Sequence, residues 1–282
     1  MSGTLHVVAT PIGNLDDLSP RAVETLRRCA KVACEDTRRT GGLLARFGVE
    51  TPMLSLHKFN EAERIEAILG LLAEGREVAL VSDGGTPGIS DPGAWLVRAA
   101  IEAGHRVSPV PGPSAVAALL SAAGLPADRY VFDGFLPPRE GERRRRLREL
   151  RAETRTVVVF EAPHRLRDAL RDVAEVFGGR TIVLGRELTK IHETILRASA
   201  SELLARLGDG DILGEVVLAI AGHEVLGDGP SGEDESAARI RAVWSAACAA
   251  TADRRASLKA AAKELGLKRA ELQRRLAELG ER

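Results

Sequence analysis

Short apolar runs alternate with longer segments of helical periodicity through most of this chain. Leu5-His6-Val7-Val8-Ala9 has the length and continuity of a buried first strand. Ser19-Pro20 offers an N-cap with proline at the first helical position, and the pattern predicts a helix from there to about Cys29. A short strand follows over 31–34, then a helix over 37–47 that Gly48 ends. Asn60 is placed to cap a long amphipathic helix whose apolar set is Ala62, Ile65, Ile68, Leu69 and Leu72. Strands are predicted over 78–81 and 107–110, with a helix over 94–103 between them. This alternation argues for a parallel sheet with helices on both faces.

Pro109-Val110-Pro111-Gly112-Pro113 interrupts the pattern. Prolines at three of these five positions oppose a continuous helix or strand, so a hinge is expected here. A second alternation then begins, with a helix over 114–123, strands over 130–132 and 155–160, a helix over 164–176, and strands over 181–184 and 216–221. The expected fold class is therefore α/β: two αβα domains, 1–112 and 113–224, with a ligand cleft between them. Residues 225–236 are acidic and glycine-rich and read as an exposed linker. From 237 to 282 the composition shifts to Ala, Lys, Arg and Leu. Segments 257–265 and 268–279 on either side of Gly266 predict a small helical domain of helix–turn–helix type.

Composition narrows the partners. The formal net charge is zero, so a nucleic-acid ligand would need local basic patches. Cys29, Cys34 and Cys248 form neither a disulfide ladder nor a metal-binding spacing, which points to reduced thiols in a cytoplasm and to no metal. No apolar stretch approaches the roughly 20 residues of a membrane span. The N-terminus runs directly into the first strand, so no signal peptide is expected. With aromatics at 3%, base stacking on aromatic platforms is not an expected mode of recognition.

The chemistry is expected in the loops. Ser82-Asp83-Gly84-Gly85-Thr86-Pro87-Gly88-Ile89-Ser90-Asp91-Pro92-Gly93 leaves a strand at its carboxyl end, where open α/β sheets bind ligands. A loop built only to turn needs two to six residues, and this one is about twice that. Its glycines allow close backbone approach, its prolines stiffen it, and its two Asp residues offer acceptors. Ala9-Thr10-Pro11-Ile12-Gly13-Asn14-Leu15 and Val110-Pro111-Gly112-Pro113-Ser114-Ala115 would emerge at the same sheet edge. Neither a Gly-x-Gly-x-x-Gly after the first strand nor a Walker A motif is present, which argues against dinucleotide binding and phosphoryl transfer.

Taken with Glu35-Asp36-Thr37-Arg38, Gly134-Phe135-Leu136-Pro137, Phe160-Glu161-Ala162-Pro163-His164-Arg165 and Arg186-Glu187-Leu188-Thr189-Lys190, these ordered blocks resemble the tetrapyrrole methylase superfamily. Within it the chain is similar to the ribosomal RNA small-subunit methyltransferase I family, over about residues 4–222. The resemblance implies S-adenosylmethionine as methyl donor, 2′-O-methylation of a cytidine in 16S ribosomal RNA of the small subunit, and a homodimer. It also implies cofactor contacts at Ile12, Gly13, Asp83, Gly85, Thr86, Ile89, Asp91, Ser114, Ala115 and Ala162, and along the strand from Val216 to Ala221.

Methyl transfer from a sulfonium is an in-line displacement with a good neutral leaving group, so alignment supplies much of the rate. A ribose hydroxyl is a very weak acid, and a general base would help it. Asp36, Glu161 and Glu187 are the candidate bases, with Arg38 or Lys190 for positioning. Asp36 also suits a helix N-terminus, and the sequence does not choose among them.

Two basic segments could serve RNA. Residues 139–155 hold eight Arg and four Glu, including Arg143-Arg144-Arg145-Arg146, which as a helix presents charge around its girth. Residues 251–282 hold nine Lys or Arg against five Asp or Glu, with Lys268-Arg269 and Arg274-Arg275 as a second basic face. Phosphate contacts there would make affinity fall steeply with salt. A porphyrinoid methyltransferase would share the fold and cofactor, but has no need of either basic segment. The alternative of another class is a regulator whose α/β part senses a ligand while the tail binds DNA.

Overall fold

The computed structural model describes residues 2–56, 61–208, 210–223, 232–251 and 253–279. The first half follows the expected order: β1 (Thr4–Val8), α1 (Pro20–Arg28), β2 (Lys31–Cys34), α2 (Thr37–Arg46), β3 (Met53–Ser55), α3 (Glu61–Ala73), β4 (Val78–Leu80), α4 (Ala94–Glu102) and β5 (Arg106–Val110). The five strands form one sheet, ordered β3-β2-β4-β1-β5 and parallel throughout. Parallel pairing places the carboxyl ends of β1, β2, β4 and β5 along one edge, which is where the long loops emerge. One face of the sheet packs through Val8, Val32, Cys34, Ala79 and Val81 against Leu26 and Leu44. The other packs through Leu5, Ala33 and Leu80 against Ile68, Leu72 and Leu96. The strands are buried on both sides, as parallel strands are.

Local signals explain the element ends. The Ser19 hydroxyl accepts the Ala22 N–H at the start of α1, and Asp36 accepts the Arg38 N–H at the start of α2. Asn60, the expected cap of α3, lies outside the described residues. Strand β3 was not expected; its three residues are too few to register as an apolar run. The hinge reading needs correction at its first two positions, because Pro109 and Val110 belong to β5. That strand is an edge strand, where a missing proline N–H costs no ladder bond.

The second half contains α5 (Ala115–Ala123), β6 (Tyr130–Phe135), α6 (Glu140–Leu150), β7 (Thr156–Glu161), α7 (Leu166–Phe177), β8 (Thr181–Arg186), β9 (Thr194–Ser199), α8 (Ala200–Leu207) and β10 (Val216–Ile220). Its sheet is ordered β6-β7-β10-β8-β9. Only β6 and β7 run parallel; β10 is antiparallel to both of its neighbours, and β8 to β9. The uniform parallel reading therefore does not extend to this half. Strand β9 and helix α8 were missed: β9 has a half-buried face without a continuous apolar run, and α8 is short. Helix α5 lays Val116, Leu119 and Leu120 against Val158, Val183 and Val217 of the sheet.

Both sheets lie in one compact unit, Met1–His223, and Glu224–Arg282 forms a second. The second unit contains α9 (Gly232–Ala250), α10 (Arg254–Leu265) and α11 (Arg269–Glu278), packed around Ile240, Trp244, Ala261, Leu272 and Leu276. Gly266 closes α10 with φ +66°, which glycine adopts freely. The linker reading is corrected over 232–236, which belong to α9. Glu and Asp, taken there as linker composition, are also the residue types that suit the positive end of a helix. Among the described residues no helix is long and apolar enough to cross a membrane.

Candidate active site

Three loops from the first sheet are tied to one another. Thr10 and Gly85 exchange both backbone hydrogen bonds, at 2.8 and 3.0 Å. The Thr10 hydroxyl donates to the Ser82 carbonyl at 3.1 Å, and the Thr86 hydroxyl to the Pro113 carbonyl at 3.3 Å. Gly85 sits at φ +86° with Ile12 against it, so a side chain there would strain the backbone. The second sheet contributes the ends of β6, β7 and β8 and the start of β10, since the pairing sets Val216 opposite Glu161 and Arg186. The loop after β8 reaches across to the first. Asn14 N–H donates to the Thr189 hydroxyl at 3.0 Å, and a Cβ on Gly13 would lie 2.7 Å from the Leu188 carbonyl.

Between these edges lies a cleft of about 660 Å3. Its buried apolar wall comes from Leu188, Val216 and Val217. Its polar groups include Arg39, Asp83, Asp91, Glu161, Lys190 and Glu215. The three non-glycine residues with positive φ among the described ones are Ser90, Glu187 and Thr189, all in loops bordering the cleft. Strain of this kind costs on the order of 1–3 kcal/mol per residue and gathers at functional sites.

The ionisable groups differ sharply in freedom. Burial, reinforced by Glu35, Asp83 and Glu215, raises the Asp91 carboxyl to about 6. Asp36 is gripped by the Arg38 guanidinium at 2.8 and 3.1 Å and caps α2, which holds it well below the usual carboxylate range. Glu187 accepts from Lys190 Nζ at 2.7 Å and from the Glu215 N–H at 2.9 Å; the lysine bond lowers its pKa. The Glu161 side chain is 0% exposed. Its Oε1 accepts from Arg165 at 2.6 Å and from the Ala162 N–H at 2.7 Å, while Oε2 is buried without a partner.

A family model described as Tetrapyrrole (Corrin/Porphyrin) Methylases matches residues 4–204. A protein of Xylella fastidiosa (strain Temecula1) named Ribosomal RNA small subunit methyltransferase I is 52% identical over 223 residues, 78% of this chain and 82% of that one. One of the same name from Pseudomonas aeruginosa is 50% identical over 236 residues, covering 83% and 82%. The chain belongs to the ribosomal RNA small subunit methyltransferase I family. The relative in Thermotoga maritima, 44% identical, is covered over its whole length by 79% of this chain. Among solved structures, uroporphyrin-III-C-methyltransferase from Thermus thermophilus matches with TM-score 0.55 and 24% identity, over 78% of this chain and 94% of that one. Diphthine synthase matches with TM-score 0.60 and 16% identity, over 79% and 92%. These two likenesses show the tetrapyrrole methylase fold.

In this member of the methyltransferase I family, Ile12, Gly13, Asp83, Gly85, Thr86, Ile89, Asp91, Ser114, Ala115, Ala162 and Val216 all line the cleft, with Glu161 and Lys190. Ala221 does not. It follows the far end of β10, where its N–H bonds the Thr181 carbonyl. Asp36, Arg38 and Glu187 also stand off the wall. Arg38 is 90% exposed and committed to Asp36, while Glu187 props Lys190 and the 214–215 turn from behind. Arg39, Phe135 and Phe160 line the cleft but were not selected from the sequence. Phe135 and Phe160 stood inside the quoted blocks, and their place at strand ends was the available signal.

The arginine run requires the clearest correction. Residues 143, 147 and 150 form the core face of α6, so Arg143 points inward. Its side chain is 5% exposed and pairs with the equally buried Asp172 at 2.7 Å. Arg144 is held by Asp172, Glu140 and Glu175, and Arg146 by Asp133 and Glu149. Of the four, Arg145 is the exposed one. In the tail, Lys268 and Arg269 are exposed, while Arg275 is bonded to Glu271 at 2.9 Å. The fold also gathers His6, Cys29 and Glu77 at the sheet edge opposite the cleft, a metal-capable group that spacing did not reveal. Glu77 there is already neutralised by Arg28 at 2.7 Å.

Proposed function

We propose that the cleft binds S-adenosylmethionine and transfers its methyl group to the ribose 2′-hydroxyl of a cytidine in 16S ribosomal RNA of the small subunit. The reading is carried by one observation: the loop residues expected to bind the donor converge on a single cleft, in a chain half identical to relatives named for small-subunit RNA methylation. Working on that substrate places the enzyme in the cytoplasm, and the family resemblance further implies a homodimer, which sedimentation would test.

The cleft's own features suit such a donor. Gly84 and Gly85 let the long loop lie directly against Pro11 and Ile12 at the cleft, and Asp83 and Asp91 offer negative charge to a cation. The Glu161 Oε2, buried at the wall without a hydrogen-bond partner, is the unsatisfied acceptor that a rearrangement on binding would pair. Ile12, Gly13, Asp83, Gly85, Thr86, Ile89, Asp91, Ser114, Ala115, Ala162 and Val216 would hold the donor. Once bound, it supplies a methyl group on positively charged sulfur with a neutral thioether as leaving group.

Among the candidate bases, Glu161 is the one that lines the cleft and has an oxygen without a partner; Asp36 has both oxygens on Arg38, and Glu187, bonded through Oε1 to Lys190 and the Glu215 N–H, stands off the wall. Once substrate binding opens the wall over its buried side chain, Glu161 takes the proton of the incoming hydroxyl as the oxygen attacks, and Arg165 and the Ala162 N–H keep its carboxylate aimed. Lys190, held by Glu187 and Glu215, positions a ribose or phosphate oxygen. Arg39, 3.8 Å from Asp83, adds positive charge to the same wall.

Labelled S-adenosylmethionine incubated with 16S RNA and with small subunits lacking the modification tests the reading directly. The expected product is 2′-O-methylcytidine at one mapped position. Cofactor binding without transfer to either substrate would overturn it in favour of a small-molecule methylase.

Asp91 gives the binding step a pH dependence. A cation held against its carboxylate displaces the proton, so donor affinity rises with pH through about 6. The unliganded fold shows the opposite sense. Its Asp91 pKa stands above the unfolded value of 3.8, so the protonated carboxyl contributes stability at low pH that is lost as pH rises through about 6. Calorimetry from pH 5 to 7.5 is expected to show the rise in wild type and a flat profile in Asp91→Asn. Parallel profiles would remove Asp91 from the ionic contacts.

A further inference from the structure

Composition argued against aromatic stacking, yet half of the six phenylalanines stand in one row at the cleft. Phe132 packs edge-on against Phe160 with ring centres 4.9 Å apart, and Phe160 against Phe135 at 5.4 Å. Phe160 and Phe135 line the cleft. Phe135 is 54% exposed.

The backbone is shaped to present that ring. The β6–β7 register slips between Phe132 and Phe135, and Gly134 adopts φ +70° within the slip. An extra residue of this kind re-aims the next side chain, and such bulges are common beside active sites. A Cβ on Gly134 would stand 3.2 Å from Ser90 Oγ, so the bulge also abuts the long loop of the first sheet. Eight large apolar side chains are exposed among the described residues. Three of them, Leu15, Ile89 and Phe135, line this one cleft. The apolar wall is buried, whereas these three are open to solvent and so form its rim. An open apolar rim backed by a braced ring suits a flat neutral π-face better than a phosphate.

We infer that Phe135 is the stacking platform for the nucleobase of the nucleotide being methylated. This rests on the RNA reading above. A nucleotide drawn away from its neighbours into the cleft loses its stacking contacts, and Phe135 replaces the contact that it loses. The Phe160 and Phe132 rings behind it fix the platform's tilt. Arg39, two-thirds exposed on the same cleft, is available to a backbone phosphate.

The test compares wild type with Phe135→Ala, Phe135→Trp and Phe135→Leu, using small subunits as substrate and calorimetry with S-adenosylmethionine alone. Stacking is worth roughly 1–3 kcal/mol per base, so Phe135→Ala is expected to raise KM for the subunit about tenfold or more. Phe135→Trp should restore it, Phe135→Leu should restore little, and donor affinity should stay unchanged in all three. Because Phe135 is half exposed, the variants are expected to melt as wild type does. An unchanged KM in Phe135→Ala, or equal rescue by Leu and Trp, overturns stacking while the RNA reading stands. Loss of donor affinity in step with KM would assign the ring to the cofactor instead, which also overturns it. Should the wild type itself methylate no ribosomal substrate, the RNA reading fails and this inference with it.

Discussion

Glu161→Gln is expected to lower kcat by about 100-fold or more, with little change in affinity for the methyl donor. The substitution keeps the size of the side chain and an oxygen for Arg165, and removes the group that takes the proton. General-base catalysis contributes roughly 10²–10⁴-fold, which sets the scale. Stability should fall only modestly, because Arg165, the partner left behind, retains a route to solvent at 21% exposure. Three measurements separate the roles: single-turnover rate, donor affinity by calorimetry, and thermal melting. A variant with normal turnover would remove Glu161 from proton transfer. A variant that lost donor binding instead would make its orphaned oxygen a cofactor contact.

Asp172→Ala is expected to destabilise the fold by about 3–5 kcal/mol, the usual cost of stripping one partner from a buried ion pair. Arg143 would remain inside with the Pro138 carbonyl as its remaining hydrogen-bond partner in the protein. Arg144 would lose its 2.7 Å bond to Asp172 Oδ1 but keep Glu140 and Glu175. Urea unfolding measures the effect. Arg145→Ala is the control, with a change within about 0.5 kcal/mol as for an exposed residue. The same pair of variants tests what the arginine run does for RNA. If Arg145 makes the one phosphate contact of the four, its removal flattens the salt dependence by about one counterion. A destabilisation below about 1 kcal/mol in Asp172→Ala would show that water reaches Arg143, and would reopen the run as a phosphate-binding face.

Much of the molecule was legible before any tertiary information. The cap at Ser19, the turn at Gly266 and the apolar runs of the strands depend on contacts within a few residues, so they can be read from a linear string. The loop residues of the cleft were legible for a related reason. Parallel strands deliver their carboxyl ends to one edge, so long glycine- and proline-rich loops after successive strands must meet.

What only the tertiary structure decided involves partners distant in the chain. Asn14 and Thr189 meet across 175 residues, and no local rule pairs them. The roles of the carboxylates turned on the same kind of information. Asp36, Glu161 and Glu187 look alike in sequence. Asp36 is consumed by its neighbour Arg38, Glu187 is turned to Lys190 and the 214–215 turn away from the cleft lining, and Glu161 lines the cleft with one oxygen unpartnered. Four consecutive arginines likewise read as surface charge, until the packing of α6 places Asp172 beneath the first two. Charge and periodicity along the sequence determine which residues can fold inward; whether a buried partner awaits them depends on a segment about 29 residues away, which only the packed fold brings into contact.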